Sequence, residues 1–435
     1  ARGSRRPRIL LVSPAFAPEN KISSHRISRF AEYWSREGCD VTVLTAEPTN
    51  QDMEMTGLEG VTILRAKDRL SRGAKRGVAA VRGSRPGSLH FRILRQLQTA
   101  VTASLFPDRY VFWALEAARA ARRLPTDFDV IVASVGPLSA LIPARVVQRR
   151  SGAPLVVDYR DTLTETPVRS LRRSMRRGLR RWLETRIVSS AVLLAAVTEP
   201  MRAQLQARFN IPAVLATNGF DERDFQGLNY SPEPELLSVA YFGTVYHGTR
   251  DPSPLFQALA LLKAEREQMP VRVRFYGSYS PLVEEAAAAL GVADRVEYMG
   301  QKTHSEAVVT QVSADILLLL LRGEADRQVL TGKLFEYIGA GRPILCIGLE
   351  EGAAPSLIRQ GRFGVVLNDP SEIAGYLREK LAEKRQTGEV SGPRTPAPIE
   401  LTRGQQSRVL LEHIVEALDL GVVVDGIGGT ELAES

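Results

Sequence analysis

The sequence predicts an α/β protein with two Rossmann-like domains. Short apolar strands alternate with helical patterns along the chain, which is typical of parallel sheets covered by helices. The alternation restarts after the Pro-, Asn- and Glu-rich stretch Gly227–Leu236, which indicates a domain boundary. The chain has 435 residues, more than one hydrophobic core usually supports. Two such domains facing each other across a cleft suit the binding of two substrates.

The first predicted domain spans residues 1–226 and is built on six apolar strands. Amphipathic helices such as Ile27–Glu37 and Tyr110–Arg122 separate them. The predicted strands are Arg8–Val12, Asp40–Leu44, Val61–Leu64, Val130–Ala133, Leu155–Val157 and Ala191–Val197.

The second predicted domain spans residues 237–398 and repeats the pattern. A helix is expected within 399–420, and residues 421–435 are expected to form a flexible tail because they are small and follow the last helix. The predicted strands are Ser238–Phe242, Val271–Tyr276, Val296–Met299, Ile316–Leu321, Ile344–Ile347 and Gly364–Leu367.

Composition narrows the class of protein. Apolar residues make up 44% of the chain and charged residues 24%, which is ordinary for a globular protein. No apolar run reaches transmembrane length, and no signal-peptide core follows the basic N-terminus. Cys39 and Cys346 are too few for a disulfide framework and favour a reducing cytosol. No Cys or His cluster has metal-ligand spacing, so we expect no metal and no bound cofactor.

Residues 331–345 give the strongest functional signal. They follow the apolar run Ala314–Leu321 and begin a helix, an arrangement that aims free backbone N–H groups at one point where a phosphate can bind. Lys333 lies in the first helical turn, where a cation opposes the helix dipole and gains from a nearby anion. Glu336 projects from the same face and can accept both ribose hydroxyl protons. The alternative is an ordinary solvated ion pair three residues apart.

Two other loops follow predicted strands and carry polar side chains. Gly243 and Thr244 should let the backbone approach a ligand closely, and Arg250 would clamp a diphosphate with its bidentate donors. The alternative is a plain helix entry with Arg250 in solvent. Arg160 and Asp161 lie past another strand end, where α/β active sites usually lie; an Asp–Arg pair that fixes the loop is equally compatible.

These stretches together resemble a known family, the retaining GT-B glycosyltransferases and glycosyltransferase family 4 in particular. Residues 331–345 are similar to its nucleotide-sugar motif, and the resemblance spans residues 7–418. Further stretches match in the expected order: Pro7–Ser13 with Ala15–Arg29, Val156–Thr162, Thr198–Pro200, Asn218–Asp221 and Phe242–Pro254.

The resemblance implies a role for each matching residue. The second domain would bind the nucleotide-diphosphate sugar, and the acceptor would bind against the first. It implies same-face attack without a metal, the departing phosphate oxygen taking the acceptor's proton, and a last helix that packs back on the first domain. The implied donor-binding residues are Gly243, Thr244, Arg250, Gln328, Leu330, Thr331, Gly332, Lys333 and Glu336; Arg160 and Asp161 would contact the sugar or acceptor, and Ser23, Ser24, His25 and Arg26 would lie on the acceptor side.

The sequence departs from the family at two places. Gln328 stands where many members carry a glutamate that contacts the donor sugar, which puts the usual sugar preference in doubt, and Glu324 and Asp326 are candidate substitutes. Ser23 and Ser24 replace a common Gly-Gly pair.

The net charge of +8 is concentrated in the first half of the chain. Seven arginines form one helical stripe within Arg169–Arg186, opposite Leu171, Met175, Leu179, Trp182 and Leu183. A cationic amphipathic helix with a tryptophan suits an anionic membrane surface. The alternative is that its apolar side packs on the core of the domain while the arginines are solvated. Nucleic acid is disfavoured because no stacking aromatics interleave with the charges.

Asp127-Phe128-Asp129 spells the D-x-D pattern of metal-dependent, single-domain glycosyltransferases. It immediately precedes a predicted strand, and we interpret it as a turn.

The preferred hypothesis is a cytoplasmic transferase that uses a nucleotide-diphosphate sugar, and the inner face of the membrane is an open alternative for its place of action. UDP-hexose or UDP-N-acetylhexosamine is the expected donor, with GDP and dTDP sugars open, and the acceptor is a saccharide, lipid-linked or small-molecule hydroxyl. A nucleotide-sugar epimerase of the same fold and a non-catalytic nucleotide-sugar-binding homologue remain alternatives.

Overall fold

The computed structural model describes residues 6–19, 22–48, 57–67, 105–160, 171–245, 250–264, 270–393 and 396–418. The chain divides into two compact units. The first comprises Ala1–Thr217 and Ser407–Ser435, and the second comprises Asn218–Gln406.

The first unit contains a parallel sheet of seven strands in the order β3-β2-β1-β4-β5-β6-β7. β1 and β4 are neighbours, and the order in which strands are added to the sheet reverses at this pair. The sheet is therefore doubly wound. The strands are β1 (Arg8–Val12), β2 (Asp40–Ala46), β3 (Val61–Ala66), β4 (Val130–Val135), β5 (Leu155–Tyr159), β6 (Ala191–Ala196) and β7 (Ala213–Leu215).

Helices cover both faces of this sheet. Leu10 and Val12 of β1 belong to one apolar cluster, whereas Ile9 and Leu11 belong to another, because alternate residues of a strand point to opposite faces. The helices of this unit are α1 (Ile22–Arg36), α2 (Val111–Ala121), α3 (Leu141–Ser151), α4 (Leu171–Val188) and α5 (Glu199–Phe209).

The second unit contains a parallel sheet of six strands in the order β10-β9-β8-β11-β12-β13. Its switch point lies between β8 and β11, which pair directly. The strands are β8 (Leu237–Phe242), β9 (Val271–Tyr276), β10 (Val296–Gly300), β11 (Ile316–Leu320), β12 (Ile344–Ile347) and β13 (Gly364–Val366).

The second sheet is also buried on both faces. Its helices are α6 (Glu222–Phe225), α7 (Ser253–Ala264), α8 (Pro281–Ala289), α9 (His304–Ser313), α10 (Gly332–Gly339), α11 (Ala353–Gln360) and α12 (Pro370–Thr387). The last helix, α13 (Arg403–Leu418), begins in the second unit and continues in the first. Within the described part of the chain, no helix is both long and apolar enough to cross a bilayer.

The unit boundary differs from the predicted one at 226/237. Asn218–Phe225 already belongs to the second unit, because Phe220 is buried in that unit's core and forms a bridge with Thr402. The Pro-rich stretch therefore lies inside the second unit. The composition predicted an irregular segment here, but it did not indicate which unit packs around that segment.

Residues 399–406 also belong to the second unit, whereas the rest of α13 lies in the first. Leu410, Leu411 and Ile414 are buried in a core cluster of the first unit. The indole Nε1 of Trp34 donates to the carbonyl of Ser407 at 2.9 Å. These contacts place the end of the helix on the first unit, as the resemblance implied. The predicted tail, residues 421–435, lies outside the described residues.

All twelve predicted strands are present, with ends that shift by up to two residues. The edge strand β7 was missed because Ala213–Leu215 is too short to give a pattern. In both halves the alternation of short apolar runs and helices therefore predicted the sheet class.

Candidate active site

The candidate donor site of the second unit lies at the switch point of its sheet. β8 ends at Phe242 and β11 ends at Leu320, and helix α10 begins at Gly332 shortly after β11. In open α/β sheets, ligands bind beyond the carboxyl ends of the strands where the strand order reverses. The backbone N–H of Phe242 donates to the phenol oxygen of Tyr337 at 3.1 Å, which fixes the helix to the end of β8.

Gly243 makes room for a lysine. Its φ is +140°, and a Cβ at this position would lie 1.9 Å from Nζ of Lys333 and 2.8 Å from its Cε. Gly277 of the neighbouring strand end has a φ of +150°, and its Cβ would lie 2.4 Å from the carbonyl oxygen of Gly243. Only glycines therefore allow the lysine, the end of β8 and the end of β9 to approach this closely.

Lys333 is a half-buried cation at the amino end of α10. Its Nζ lies 4.9 Å from the ring centroid of Tyr241, and it forms no salt bridge with any described residue. Desolvation and the charge of Arg250 together lower the pKa of Lys333 from 10.5 to about 8, although Glu336 acts in the opposite direction. The charged form is therefore held at a cost, which an anionic ligand would offset.

The first turn of α10 adds hydrogen-bond donors to this charge. Thr331 is the N-cap with extended backbone, and its hydroxyl is buried without a hydrogen bond to any described residue. Apart from the N–H of Leu334, which donates to the Thr331 carbonyl at 3.1 Å, the first N–H groups of a helix have no intrahelical acceptor. Together with Lys333 and Gly332 they provide the kind of donors that bind anions at helix N-termini.

Arg250 adds a second positive charge. Its backbone is left-handed at a φ of +56°, and its Nη1 donates to the carbonyl of Thr244 at 3.3 Å. The carboxylate of Asp251 accepts from the N–H of Ser253 at 2.9 Å, at the start of α7. Residues 246–249 lie outside the described residues.

Glu336 lies one turn further along α10 and is half-buried. Its Oε2 accepts from Nε2 of Gln311 at 3.4 Å. His304 bonds to Asp224 at 2.9 Å; this bond raises the pKa of His304, and Glu336 adds to the effect. The sequence interpretation missed Gln311 and His304, because no spacing relates α9 to α10 and histidines elsewhere in the chain are scattered.

The remaining donor-side predictions occupy the loop before α10. Gln328 is exposed, and Leu330 packs partly against an apolar cluster. Asp326 is buried and its carboxylate accepts from the backbone N–H and the guanidinium of Arg322, at 2.9 and 2.8 Å. Asp326 is therefore committed to folding this loop. Glu324 is exposed and pairs with Arg327 at 2.7 Å.

In the first unit, Arg26 forms a buried ion pair with Asp158, with Nη2 2.7 Å from Oδ1. It also donates to the carbonyls of Ala216 and Thr217, at 2.8 and 2.7 Å. Asp158 accepts a further bond from the hydroxyl of Ser134 at 3.0 Å. This network links α1, β4, β5 and the chain after β7, so Arg26 holds the carboxyl edge of the first sheet together.

The other acceptor-side residues lie at the start of α1. Ser24 is fully buried, whereas Ser23 and His25 are half-buried. Arg160 follows β5, and its backbone N–H donates to the carbonyl of Val135 at 3.1 Å. Asp158 pairs with Arg26 of α1, so its carboxylate belongs to a different ion pair from the one considered within this loop. Asp161 lies outside the described residues.

The D-x-D sequence lies at the opposite end of the first sheet. Asp129 accepts from the backbone N–H of Arg8 at 2.8 Å, and Asp127 pairs with the Arg8 side chain. Both precede β4, so the interpretation as a turn before a strand is confirmed. Among the described residues, no group of three His, Cys, Asp or Glu side chains is arranged to hold a metal ion.

Comparisons with known proteins place this geometry in context. Residues 23–218, just under half of the chain, match the model of the glycosyl transferase 4-like domain. No curated protein sequence matches significantly.

Solved structures of low sequence identity share the fold. A glycosyltransferase from Rickettsia africae ESF-5 superposes with a TM-score of 0.61 at 13% identity, covering 95% of this chain and 99% of that one. Anabaena HepE in complex with UDP and glucose gives 0.60 at 15%, covering 94% and 100%. A UDP-N-acetylglucosamine 2-epimerase gives 0.51 at 13%, covering 96% and 98%. The chain therefore carries a glycosyl transferase 4-like domain over residues 23–218 and has the two-domain GT-B fold of glycosyltransferases.

Proposed function

We propose that the protein transfers a sugar from a nucleoside-diphosphate sugar to a hydroxyl acceptor with retention of configuration. The observation that carries this proposal is Lys333, a half-buried cation beside Gly243 and the amino end of α10, with no salt-bridge partner among the described residues. Its charge and the nearby helix N–H groups suit an anion such as a diphosphate.

The donor is proposed to bind with its diphosphate between Lys333 and Arg250. The first N–H groups of α10, at Gly332 and Lys333, and the Thr331 hydroxyl would complete the contacts. The ribose would hydrogen-bond to Glu336, which Gln311 holds in place. We propose a UDP-hexose or UDP-N-acetylhexosamine, a choice supported by the UDP in the similar Anabaena structure.

The chemistry follows from the placement of charge. When the bond between the sugar and the diphosphate breaks, positive charge grows on the sugar ring and negative charge on the leaving group. Lys333, Arg250 and the helix amino end stabilise the negative charge, and they are fixed before the reaction begins. The departing phosphate oxygen would take the proton of the acceptor hydroxyl on the same face. This scheme assigns no protein nucleophile and no metal.

The acceptor is proposed to bind at the carboxyl edge of the first sheet, near Ser23, His25 and Arg160. The buried Arg26–Asp158 pair would hold this edge rigid without touching the acceptor. A saccharide, a lipid-linked saccharide or a small-molecule hydroxyl fits the proposal. We place the activity in the cytoplasm, because Cys39 and Cys346 are both free and buried, which is typical of reducing compartments.

Incubation with a panel of UDP, GDP and dTDP sugars tests the proposal, with release of free nucleoside diphosphate as the readout. We expect slow hydrolysis of one donor even without an acceptor. A nucleotide sugar of inverted configuration with no release would instead support the epimerase, and tight binding without either product the non-catalytic homologue. Retention is checked by the anomeric proton coupling of the product.

Substitutions at the donor site locate the activity. Lys333→Ala or Glu336→Ala should weaken UDP binding in calorimetry by about 1.5–3 kcal/mol, the size of one charge-assisted contact. The exposed Lys263→Ala, whose partner Asp294 is also exposed, is the matched control and should leave binding unchanged. If neither site variant changes the affinity, the donor binds elsewhere.

A further inference from the structure

Helix α4 (Leu171–Val188) presents an apolar surface to solvent. Met175 is 70% exposed, Leu179 48% and Trp182 60%. The three residues are spaced four and three apart, so they lie on one face of the helix. We name Met175, Leu179 and Trp182 the α4 face; the exposed Arg181 lies at its flank.

The opposite side of α4 holds the helix on the first unit. Ile187 and Val188 are buried, and Leu183 packs partly against the same apolar cluster. Of the apolar side predicted from the sequence, Leu183 packs on the core, whereas Met175, Leu179 and Trp182 are exposed. The polar flank is half-buried, because two arginines there have acceptors on the protein.

Those two arginines are Arg176 and Arg180. Nη2 of Arg176 donates to the carbonyl of Leu105 at 2.5 Å, and Nε of Arg180 donates to the carbonyl of Pro107 at 2.5 Å. The guanidinium groups bind the chain before α2, and these bonds fix the rotation of α4 about its axis. The apolar trio is left on the outside as a result.

Among the described residues, no carboxylate pairs with Arg181 or Arg186, and both arginines are exposed. Glu184 is the only acidic residue in α4, and it is buried, where it accepts from the Tyr159 hydroxyl at 2.9 Å and pairs with Arg208 at 2.7 Å. An exposed apolar row with exposed arginines beside it is complementary to the headgroups and upper acyl chains of an anionic bilayer.

We propose that the α4 face docks the protein on the surface of an anionic phospholipid bilayer. The helix lies in the interface plane: Met175, Leu179 and Trp182 enter the boundary between headgroups and acyl chains, and Arg181 binds lipid phosphates. This inference does not rest on the proposed transferase activity, because vesicle binding needs neither donor nor turnover. If the protein has the proposed transferase activity, docking on a bilayer favours lipid-linked acceptors.

Tryptophan fluorescence with vesicles tests the proposal directly. The chain has three tryptophans, and Trp34 and Trp113 are 0% and 1% exposed, so Trp182 reports on the surface. With vesicles of phosphatidylcholine and phosphatidylglycerol we expect a blue shift of the emission and quenching by brominated acyl chains. Trp182→Phe should remove both signals. Pure phosphatidylcholine vesicles should bind far more weakly, and high salt should release the protein, because exposed charges are screened.

Matched substitutions separate a specific face from general basicity. Arg181→Glu should weaken partitioning about 25-fold, from roughly fivefold for each unit of charge near the surface. Arg149→Glu makes the same charge change at an exposed position of α3 and should have little effect. Met175→Ser combined with Leu179→Ser should also reduce partitioning at unchanged net charge, and it decides the matter if Arg181→Glu does not fold.

Three results would overturn the proposal. One is equal partitioning of the Arg181 and Arg149 variants. Another is binding that does not distinguish anionic from zwitterionic vesicles. The third is a Trp182 emission that is already blue-shifted and shielded from acrylamide in the free protein, which would mean that another segment of the chain covers the face. All variants should bind UDP like the unaltered protein if the proposed function holds, so failure of the two proposals gives different results.

Discussion

At the scale of single residues, the site is defined by a lysine in an unfavourable position. Lys333 is half-buried near Arg250, and a partly desolvated cation beside a second cation loses both hydration and charge balance. The contact with the Tyr241 ring compensates in part. A protein that only needed a stable helix would carry an apolar residue here. This placement is therefore the clearest structural sign of an anionic ligand.

The lowered pKa of Lys333 makes donor binding depend on pH. A bound diphosphate favours the charged lysine, so binding takes up a proton once the free protein has lost it. With a pKa of about 8 in the free protein, the affinity for UDP should fall about tenfold between pH 7 and pH 9. Calorimetry in two buffers of different ionisation enthalpy measures both the affinity and the proton uptake. In Lys333→Met the affinity for UDP should be low and should no longer fall as the pH rises above 8. An unchanged pH dependence would mean that another group titrates.

Gly243→Ala should disable the site although it replaces no charged residue. The new Cβ would lie 1.9 Å from the present position of Nζ of Lys333, so the lysine has to move away. We expect at least tenfold weaker UDP binding in calorimetry, about 1.4 kcal/mol or more, from the displaced charge-assisted contact. Gly291→Ala is the control, because its φ is +67° while nothing lies within 4 Å of its Cβ. Equal losses in both variants would trace the effect to backbone strain alone.

At the scale of secondary-structure elements, helices position side chains that come from different parts of the chain. Helix α9 places Gln311 at 3.4 Å from the carboxylate of Glu336 on α10. Gln311 is 1% exposed, so its amide has little freedom to point elsewhere. We regard Gln311 as a positioning residue that orients the carboxylate proposed to bind ribose.

Gln311→Ala should reduce the preference for ribose over deoxyribose. The carboxylate would lose its orientation, so the affinity for UDP should fall several-fold, as for a neutral hydrogen bond of about 1 kcal/mol, while the affinity for dideoxy-UDP changes little. Competition calorimetry with the two nucleotides gives this ratio. A merely structural role would weaken both nucleotides equally and would leave the ratio as it is.

A second inter-element contact holds the amino-terminal edge of the second sheet. Lys384 of α12 and Asp315 before β11 form an ion pair of 2.8 Å that is almost fully buried. The hydroxyl and N–H of Ser238 on β8 also donate to Asp315, at 2.9 and 2.7 Å, and the Tyr230 hydroxyl donates to it as well. Every charge in this network is compensated.

Lys384→Met should destabilise the protein by about 3–5 kcal/mol, because it leaves the carboxylate of Asp315 buried without its cation. Lys263→Met breaks a pair whose side chains are 49% and 61% exposed, and it should cost no more than about 1 kcal/mol. Urea unfolding of the two variants measures the difference. Comparable midpoints would mean that Asp315 becomes protonated or hydrated at little cost.

At the scale of the whole molecule, the chain forms two units that each have their own sheet and apolar core. The candidate donor-binding residues all lie in the second unit, whereas the predicted acceptor-side residues and the matched family domain lie almost entirely in the first. We therefore propose that the donor binds to the second unit and the acceptor to the first.

Hydrogen exchange with and without UDP checks this assignment. A hundredfold excess of UDP over its Kd should stabilise the state that binds it by about 2.7 kcal/mol. Protection should appear in the second unit, at the end of β8 and the first turn of α10. Lys333→Ala should remove the protection. Protection confined to the first unit would place the nucleotide there.

The sequence alone determined the α/β class, all but one of the described strands and the loop–helix segment that carries Lys333 and Glu336. These features depend on local patterns: apolar runs that predict buried strands, helical spacing, and polar residues that follow a strand end. Only the tertiary structure decided that Lys333 lies against Gly243, that Gln311 contacts Glu336 and that Asp158 pairs with Arg26. It also decided that Arg176 and Arg180 of α4 bind the protein while Met175, Leu179 and Trp182 face outward. These contacts join residues far apart in the sequence, and the face that a helix buries depends on which partners the fold brings to it.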